Sequence, residues 1–127
     1  MTKEQLDLRN ALQSIAHIIL PDKNGADIRV DSRCPETDTP LHIFVWRDEL
    51  ENVQLLLRSG ADVNAIGDMG QTPLHIAVDQ QSLKIINVLI NSGANPHIRS
   101  EFGTTAFEDA KDIGGEVYRL IRSYCSR

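Results

Sequence analysis

The chain has 127 residues, with 18 acidic and 13 basic side chains, a net charge of −5 at pH 7 and only 5% aromatic residues. This length suits one domain with an aliphatic core, because two cores in so short a chain would each be marginal. The acidic balance argues against general affinity for nucleic acid or for anionic membranes, both of which attract basic surfaces. We therefore expect no nucleic-acid partner and no membrane partner.

Targeting and redox signals are weak. The first ten residues are polar, and the longest apolar run, residues 18–20, is too short for a membrane span or a signal-peptide core, so we expect a cytoplasmic protein. Cys34 and Cys125 are far apart in sequence and lack the C-x-x-C spacing of zinc and redox sites. Two free thiols are predicted.

The first predicted unit covers residues 1–38. Within residues 4–20, Leu8, Leu12, Ile15 and Ile19 recur at spacings of three and four, which predicts an amphipathic helix. A helix with one apolar and one polar face can close the end of a stack of repeated units. A long loop, residues 28–38, follows.

The second unit, residues 39–71, opens with the run T-P-L-H. The threonine, Thr39, can cap a helix through its hydroxyl, and proline fits the first helical position. Gly60 follows an apolar run and suits the left-handed backbone that often ends a helix. These signals predict two short antiparallel helices, at residues 40–47 and 50–59.

The same signals return 33 residues later, in the unit 72–104, where T-P-L-H again opens the segment and Gly93 follows an apolar run. Helices are predicted at 73–80 and 83–92. A weaker copy, residues 105–127, has Glu108 at the histidine position and one apolar stripe near its end, which indicates a cap.

Two interleaved motifs keep this period, since G-A-D-V-N at residues 60–64 is matched by G-A-N-P-H at 93–97. The chain thereby resembles the ankyrin-repeat family, whose signature is T-P-L-H-x-A every 33 residues. The resemblance implies an all-α solenoid of helix pairs joined by β-turn loops, in which two full repeats lie between degenerate capping repeats. Phe44 departs from the pattern, because the next copy has Ala77 there. Its ring must either fill space against the N-terminal helix or reach the surface.

His42 and His75 have two interpretations. The resemblance implies a structural hydrogen bond to the adjacent repeat, whereas a metal or acid–base role would need ligands or carboxylates at suitable spacing, which the sequence lacks. Pairs such as Asp109 and Asp112 are explained more simply as solvated helix surface than as catalytic carboxylates. Because the sequence has no nucleophile flanked by a plausible base, no phosphate loop and no metal motif, we predict no enzyme activity, no metal and no cofactor.

The resemblance also implies a protein-binding module that uses its loop tips and the first helix of each pair. Met69 and Phe102 lie at two loop tips and can either anchor a partner or fold back on their own loops. The predicted partner-binding positions are Glu36, Asp38, Trp46, Arg47, Asp68, Met69, Gln71, Asp79, Gln80, Glu101, Phe102, Asp112 and Ile113.

Six of these positions are acidic and one is basic, which predicts a partner with a basic patch, such as a nuclease. The more specific hypothesis is a small inhibitor, for instance an immunity protein that neutralises a toxin, monomeric on its own. An adaptor, a host-directed effector and a structural part of a larger ankyrin array are the alternatives.

Overall fold

The computed structural model describes residues 2–15 and 38–125, and the structural statements below concern these ranges. Their helices, in chain order, are α1 (Lys3–Ser14), α2 (Pro40–Trp46), α3 (Leu50–Arg58), α4 (Pro73–Gln80), α5 (Leu83–Asn91), α6 (Ala106–Ile113) and α7 (Gly115–Cys125). The four helices predicted within 39–104 are present, with ends that differ from the prediction by at most one residue. The predictions for residues 16–20, for the loop 28–38 up to residue 37, and for Cys34 and Glu36 within it lie outside the described ranges.

Helices α4 and α6 begin at threonines whose hydroxyls cap them, and the cap at Thr72 was predicted. Thr72 has extended backbone, and its hydroxyl oxygen accepts a hydrogen bond from the backbone N–H of His75 at 3.4 Å. Thr105 accepts in the same way from Glu108, at 3.1 Å. Each bond satisfies a backbone donor that has no partner inside the helix. The start of α1 is capped by Thr2, which the sequence analysis did not identify.

Glycines follow the second helix of each full repeat. Gly60 and Gly93 have φ of +95° and +97°, as the sequence predicts. The residue after each glycine turns back on the helix: Ala61 donates its N–H to the carbonyl of Leu56 at 3.0 Å. The positive φ allows this reversal, and glycine adopts it at little cost because it has no Cβ.

The helix pairs stack in two rows. Helices α2, α4 and α6, the first of each pair, pack side by side and form the first row. Helices α3, α5 and α7 form the second row, and α1 packs against α3. The core between the rows is aliphatic, as expected, and Phe44 is fully buried in it, so its ring does not reach the surface. The other large side chains that are fully buried are Ile15, Leu41, Leu56, Leu74, Ile76, Ile85, Ile86, Leu89, Ile90 and Ile121.

Two buried histidines join successive repeats. Nδ1 of His75 accepts the backbone N–H of Thr72 at 3.0 Å, and Nε2 lies 3.4 Å from the carbonyl oxygen of Thr104, in the next loop. Because a backbone N–H can only donate, Nδ1 carries no proton, and Nε2 is the nitrogen that donates to the carbonyl. His42 repeats the arrangement, with Nε2 3.0 Å from the carbonyl oxygen of Gln71. We call this arrangement the histidine joint, and it confirms the structural interpretation of both histidines.

Candidate protein-binding surface

Two loops, residues 66–72 and 99–105, project before the first-row helices, and we call them the fingers. Each finger is closed by a backbone hydrogen bond, from Gly67 to Gln71 at 2.8 Å and from Ser100 to Thr104 at 2.9 Å. The fingers are also joined to each other, because the N–H of Glu101 donates to the carbonyl of Met69 at 2.9 Å. The exposed tips are therefore held at fixed positions beside one another.

The first finger is also anchored to the preceding repeat. The backbone N–H of Asp68 donates to Oδ1 of Asp38 at 2.8 Å. Gly67 is buried against Asp38 and His42 so closely that a Cβ at this position would overlap both side chains. Glycine is therefore required at this position for close approach, although its φ of −109° is open to any residue.

Charge is distributed unequally between the rows. We define the acidic face as residues 38–47, 66–80 and 99–113, which comprise the fingers and the first-row helices. It contains seven acidic and three basic side chains: Asp38, Asp68, Asp79, Glu101, Glu108, Asp109 and Asp112 against Arg47, Arg99 and Lys111. The described residues outside the face hold seven acidic and six basic side chains. The negative charge of the described ranges is thus concentrated on one side of the stack.

Large apolar side chains are exposed on the same face. Phe102 at the second fingertip is 63% exposed, Met69 at the first is 42% exposed, and Trp46 at the end of α2 is 50% exposed. Ile113, at the end of α6, is also exposed. Both side chains at the tips are thus accessible to a partner, and their role as anchors stays a prediction.

Several predicted binding positions have structural contacts of their own. Asp38 fixes the first finger, and the backbone carbonyl of Gln71 accepts from the histidine joint. Gln80 donates its Nε2 to the carbonyl oxygen of Trp46 at 2.8 Å and so links the ends of α4 and α2. Arg47 lies 4.0 Å from Glu49, at the limit of an ion pair. The side chains of Asp38 and Gln80 and the backbone of Gln71 thus help to fix the shape of the face.

Four exposed carboxylates of the face have no ion-pair partner among the described residues. The ion pairs of residues 2–15 and 38–125 join Arg47 to Glu49, Arg58 to Glu4 and Arg99 to Glu108. The exposed carboxylates of the acidic face without an ion pair in these ranges are Asp68, Asp79, Glu101 and Asp112. Outside the face, the exposed carboxylates without an ion pair in the same ranges are Asp7, Asp48, Glu51, Asp62 and Glu116. All four on the face were predicted as binding positions. Their charges are not neutralised within the described part of the chain and are available to an outside cation.

Asp79 has an unusual environment within this group. Partial burial of its carboxyl raises its pKa above 3.8, the nearby carboxylate of Asp109 raises it further, and His75 opposes the shift. Asp109 was not among the predicted positions, because the two full repeats carry Ile43 and Ile76 at its place. The change from isoleucine to aspartate at a fixed repeat position was the signal that could have identified it.

Residues 8–100 match the family model for ankyrin repeats, in three copies. The chain is an ankyrin-repeat protein. A search of curated proteins found no significant match. Ankyrin repeats are generally protein–protein interaction modules and are typically non-catalytic. The matched segment contains the first histidine joint, His75 of the second joint and the first finger, whereas Thr104 lies beyond it.

The described part of this ankyrin fold contains no cluster of three or more His, Cys, Asp or Glu side chains arranged to hold a metal ion. The same part has no helix with the length and hydropathy needed to cross a membrane. Cys125 is an exposed free thiol whose Sγ lies 4.0 Å from Nε2 of His97, and partial burial raises its pKa, which disfavours the thiolate.

Proposed function

We propose that this ankyrin-repeat protein acts in the cytoplasm as a monomer that binds a protein partner through the acidic face, and that the partner's surface is basic. The observation that supports this proposal best is the set of four unpaired carboxylates on one side of the stack. They accompany exposed Trp46, Met69 and Phe102 on the same side. Apolar anchors surrounded by charge are typical of interfaces in which a few contacts supply most of the binding free energy.

The fixed geometry of the fingers also favours binding. The tips that carry Met69 and Phe102 are joined by a backbone hydrogen bond, so little conformational entropy remains to be lost when a partner docks. The carboxylates contribute mainly to the rate of association, because opposite potentials steer the encounter of two proteins. We assign affinity chiefly to the three apolar side chains and steering chiefly to the carboxylates.

The more specific proposal is that the protein inhibits a toxin or enzyme that binds phosphate groups, such as a nuclease, as an immunity protein does. A surface that binds a nucleic-acid backbone is rich in Lys and Arg, and an acidic face is its electrostatic complement. By covering that surface, the ankyrin protein would exclude the nucleic acid. The support for this step is the sign and the concentration of the charge.

The test uses two charge-matched triple variants as bait in cells that produce the protein. The first, Asp68→Lys with Asp79→Lys and Asp112→Lys, reverses the unpaired carboxylates of the acidic face. The control reverses three exposed carboxylates elsewhere: Asp7→Lys, Glu51→Lys and Glu116→Lys. The parent and the control are expected to capture the same basic protein, and the acidic-face variant is expected to lose it.

For the captured partner, association and dissociation rates are measured over a range of salt concentrations. The parent's association rate should fall as salt rises, since ions screen exposed charges over about 8–10 Å at physiological ionic strength. Trp46→Ala should raise the dissociation rate. If the partner is a nuclease, stoichiometric ankyrin protein should block its cleavage of DNA or RNA. Equal binding by the acidic-face variant across all salt concentrations would contradict the proposal.

A further inference from the structure

Trp46 and Asp79 occupy the same position in successive repeats, 33 residues apart, on the packed first-row helices α2 and α4. The hydrogen bond from Nε2 of Gln80 to the carbonyl oxygen of Trp46 links the C-terminal ends of these helices at 2.8 Å. Both Trp46 and Asp79 are exposed. An exposed aromatic residue and an exposed carboxylate thus lie at equivalent positions of two neighbouring helices, whose ends are linked by a hydrogen bond.

Hydrogen-bond acceptors exceed donors at this place. The carboxylate of Asp79 forms no hydrogen bond or ion pair within residues 2–15 and 38–125, and a second carboxylate, Asp109, is close enough to raise its pKa. Oε1 of Gln80, the next residue, is buried and has no hydrogen-bond partner in the same ranges, so it adds to the local excess of acceptors although it does not face solvent. A ligand that brings several N–H donors and a positive charge would correct this imbalance.

We propose that Trp46 and Asp79 form a recognition site for an arginine side chain of the protein partner, an inference that rests on the proposed function. A guanidinium is planar and weakly hydrated, so it stacks on an indole ring while its N–H groups point outward in the ring plane. Those N–H groups match the two oxygens of a carboxylate. Lysine carries the same charge but cannot combine stacking with a bidentate bond.

The site can be tested without the natural partner, because Trp46 is the only tryptophan of the chain and its indole N–H gives a single NMR signal. The probes are capped tetra-arginine, tetra-lysine and tetra-citrulline peptides at matched ionic strength. Tetra-arginine is expected to shift the indole signal saturably, with a Kd about threefold or more below that of tetra-lysine, the difference that ring stacking provides at an exposed site. Citrulline, which keeps the shape without the charge, should leave the signal unchanged.

Two variants locate the contact. Asp79→Asn keeps the size of the side chain and removes its charge. It should raise the Kd of tetra-arginine about threefold or more, so that tetra-arginine and tetra-lysine bind the variant with similar Kd values. Glu51→Gln removes one charge from α3, in the second row, and should leave the Kd unchanged. The backbone amide spectrum of each variant shows whether the fold is retained.

Equal Kd values for the arginine and lysine peptides, or an unchanged Kd for Asp79→Asn, would overturn the arginine site. Neither result would affect the proposed function, since a basic partner could still bind the acidic face by unspecific charge. Conversely, failure of the acidic face to capture a partner would refute the proposed function even if tetra-arginine bound at Trp46. The two experiments therefore fail independently.

Discussion

Replacement of His75 by alanine is expected to be among the most destabilising single substitutions at a polar residue of this protein. The ring is fully buried and satisfies two backbone groups, the N–H of Thr72 at 3.0 Å and the carbonyl of Thr104 at 3.4 Å. A buried group left unsatisfied costs about 1–3 kcal/mol, and the cavity left by the ring adds to this. The longer bond to Thr104 contributes less, so we expect a total loss of about 3 kcal/mol in the free energy of unfolding.

Urea unfolding followed by far-ultraviolet circular dichroism measures this loss, provided that the slope of the transition stays the same. His97→Ala is the matched control, because His97 is exposed and takes no part in a joint, and it should cost less than about 1 kcal/mol. His42→Ala, in the other joint, should resemble His75→Ala. If His75→Ala were no more destabilising than His97→Ala, the joint would make no net contribution to stability and the reasoning would be refuted.

Three further predictions concern the helix ends, the C-terminal cap and the acidic face. Gly60→Val should lower the free energy of unfolding by about 1–2 kcal/mol through backbone strain alone, since a Cβ there meets no neighbour. An unchanged urea midpoint would argue against strain at this position. Deletion of residues 105–127 should expose the apolar face of α5 and give an aggregating or unfolded product, which gel filtration would reveal; a monomer that melts like the parent would exclude the capping role. Because the pKa of Asp79 is raised by burial and by Asp109, against the effect of His75, its ionisation disfavours the folded state. The protonated carboxyl therefore contributes to stability below pH 3.8, and this contribution is lost as the pH rises through the raised pKa. Asp79→Asn should accordingly have a urea midpoint equal to or above that of the parent at neutral pH, and it should lose this advantage in acid. A variant less stable than the parent at neutral pH would contradict the raised pKa.

The sequence was sufficient to predict the elements that depend on local signals. A helix cap or a helix-ending glycine affects only the backbone within a few residues of it. The roles of Thr72, Gly60 and Gly93 could therefore be inferred without knowledge of the fold. The joint role of His75 came from the resemblance to the ankyrin family, and the structure supplies the tautomer and the partner. Exposure of Trp46 also agrees with the position that the repeat register assigned to it.

The features that could not be predicted depend on contacts between residues about thirty positions apart. The bond from Asp68 to Asp38, the close approach at Gly67 and the proximity of Asp109 to Asp79 all arise where one repeat meets the next. Phe44 was left with two possible locations for a related reason, since the space available to its ring depends on the packing around it. Residue types alone do not specify such distances.

The histidine joint has a consequence for the engineering of this protein. It uses the same atoms in both occurrences, a ring on one repeat and the backbone carbonyl that precedes the next threonine, so it does not depend on the variable side chains of either neighbour. A duplicate of residues 72–104 inserted after Thr104 would therefore meet a compatible joint on both sides. The insertion would add one helix pair to the stack and so lengthen the acidic face. Repeated insertions would give a series of proteins that differ in the area of this face and keep the existing contacts between repeats.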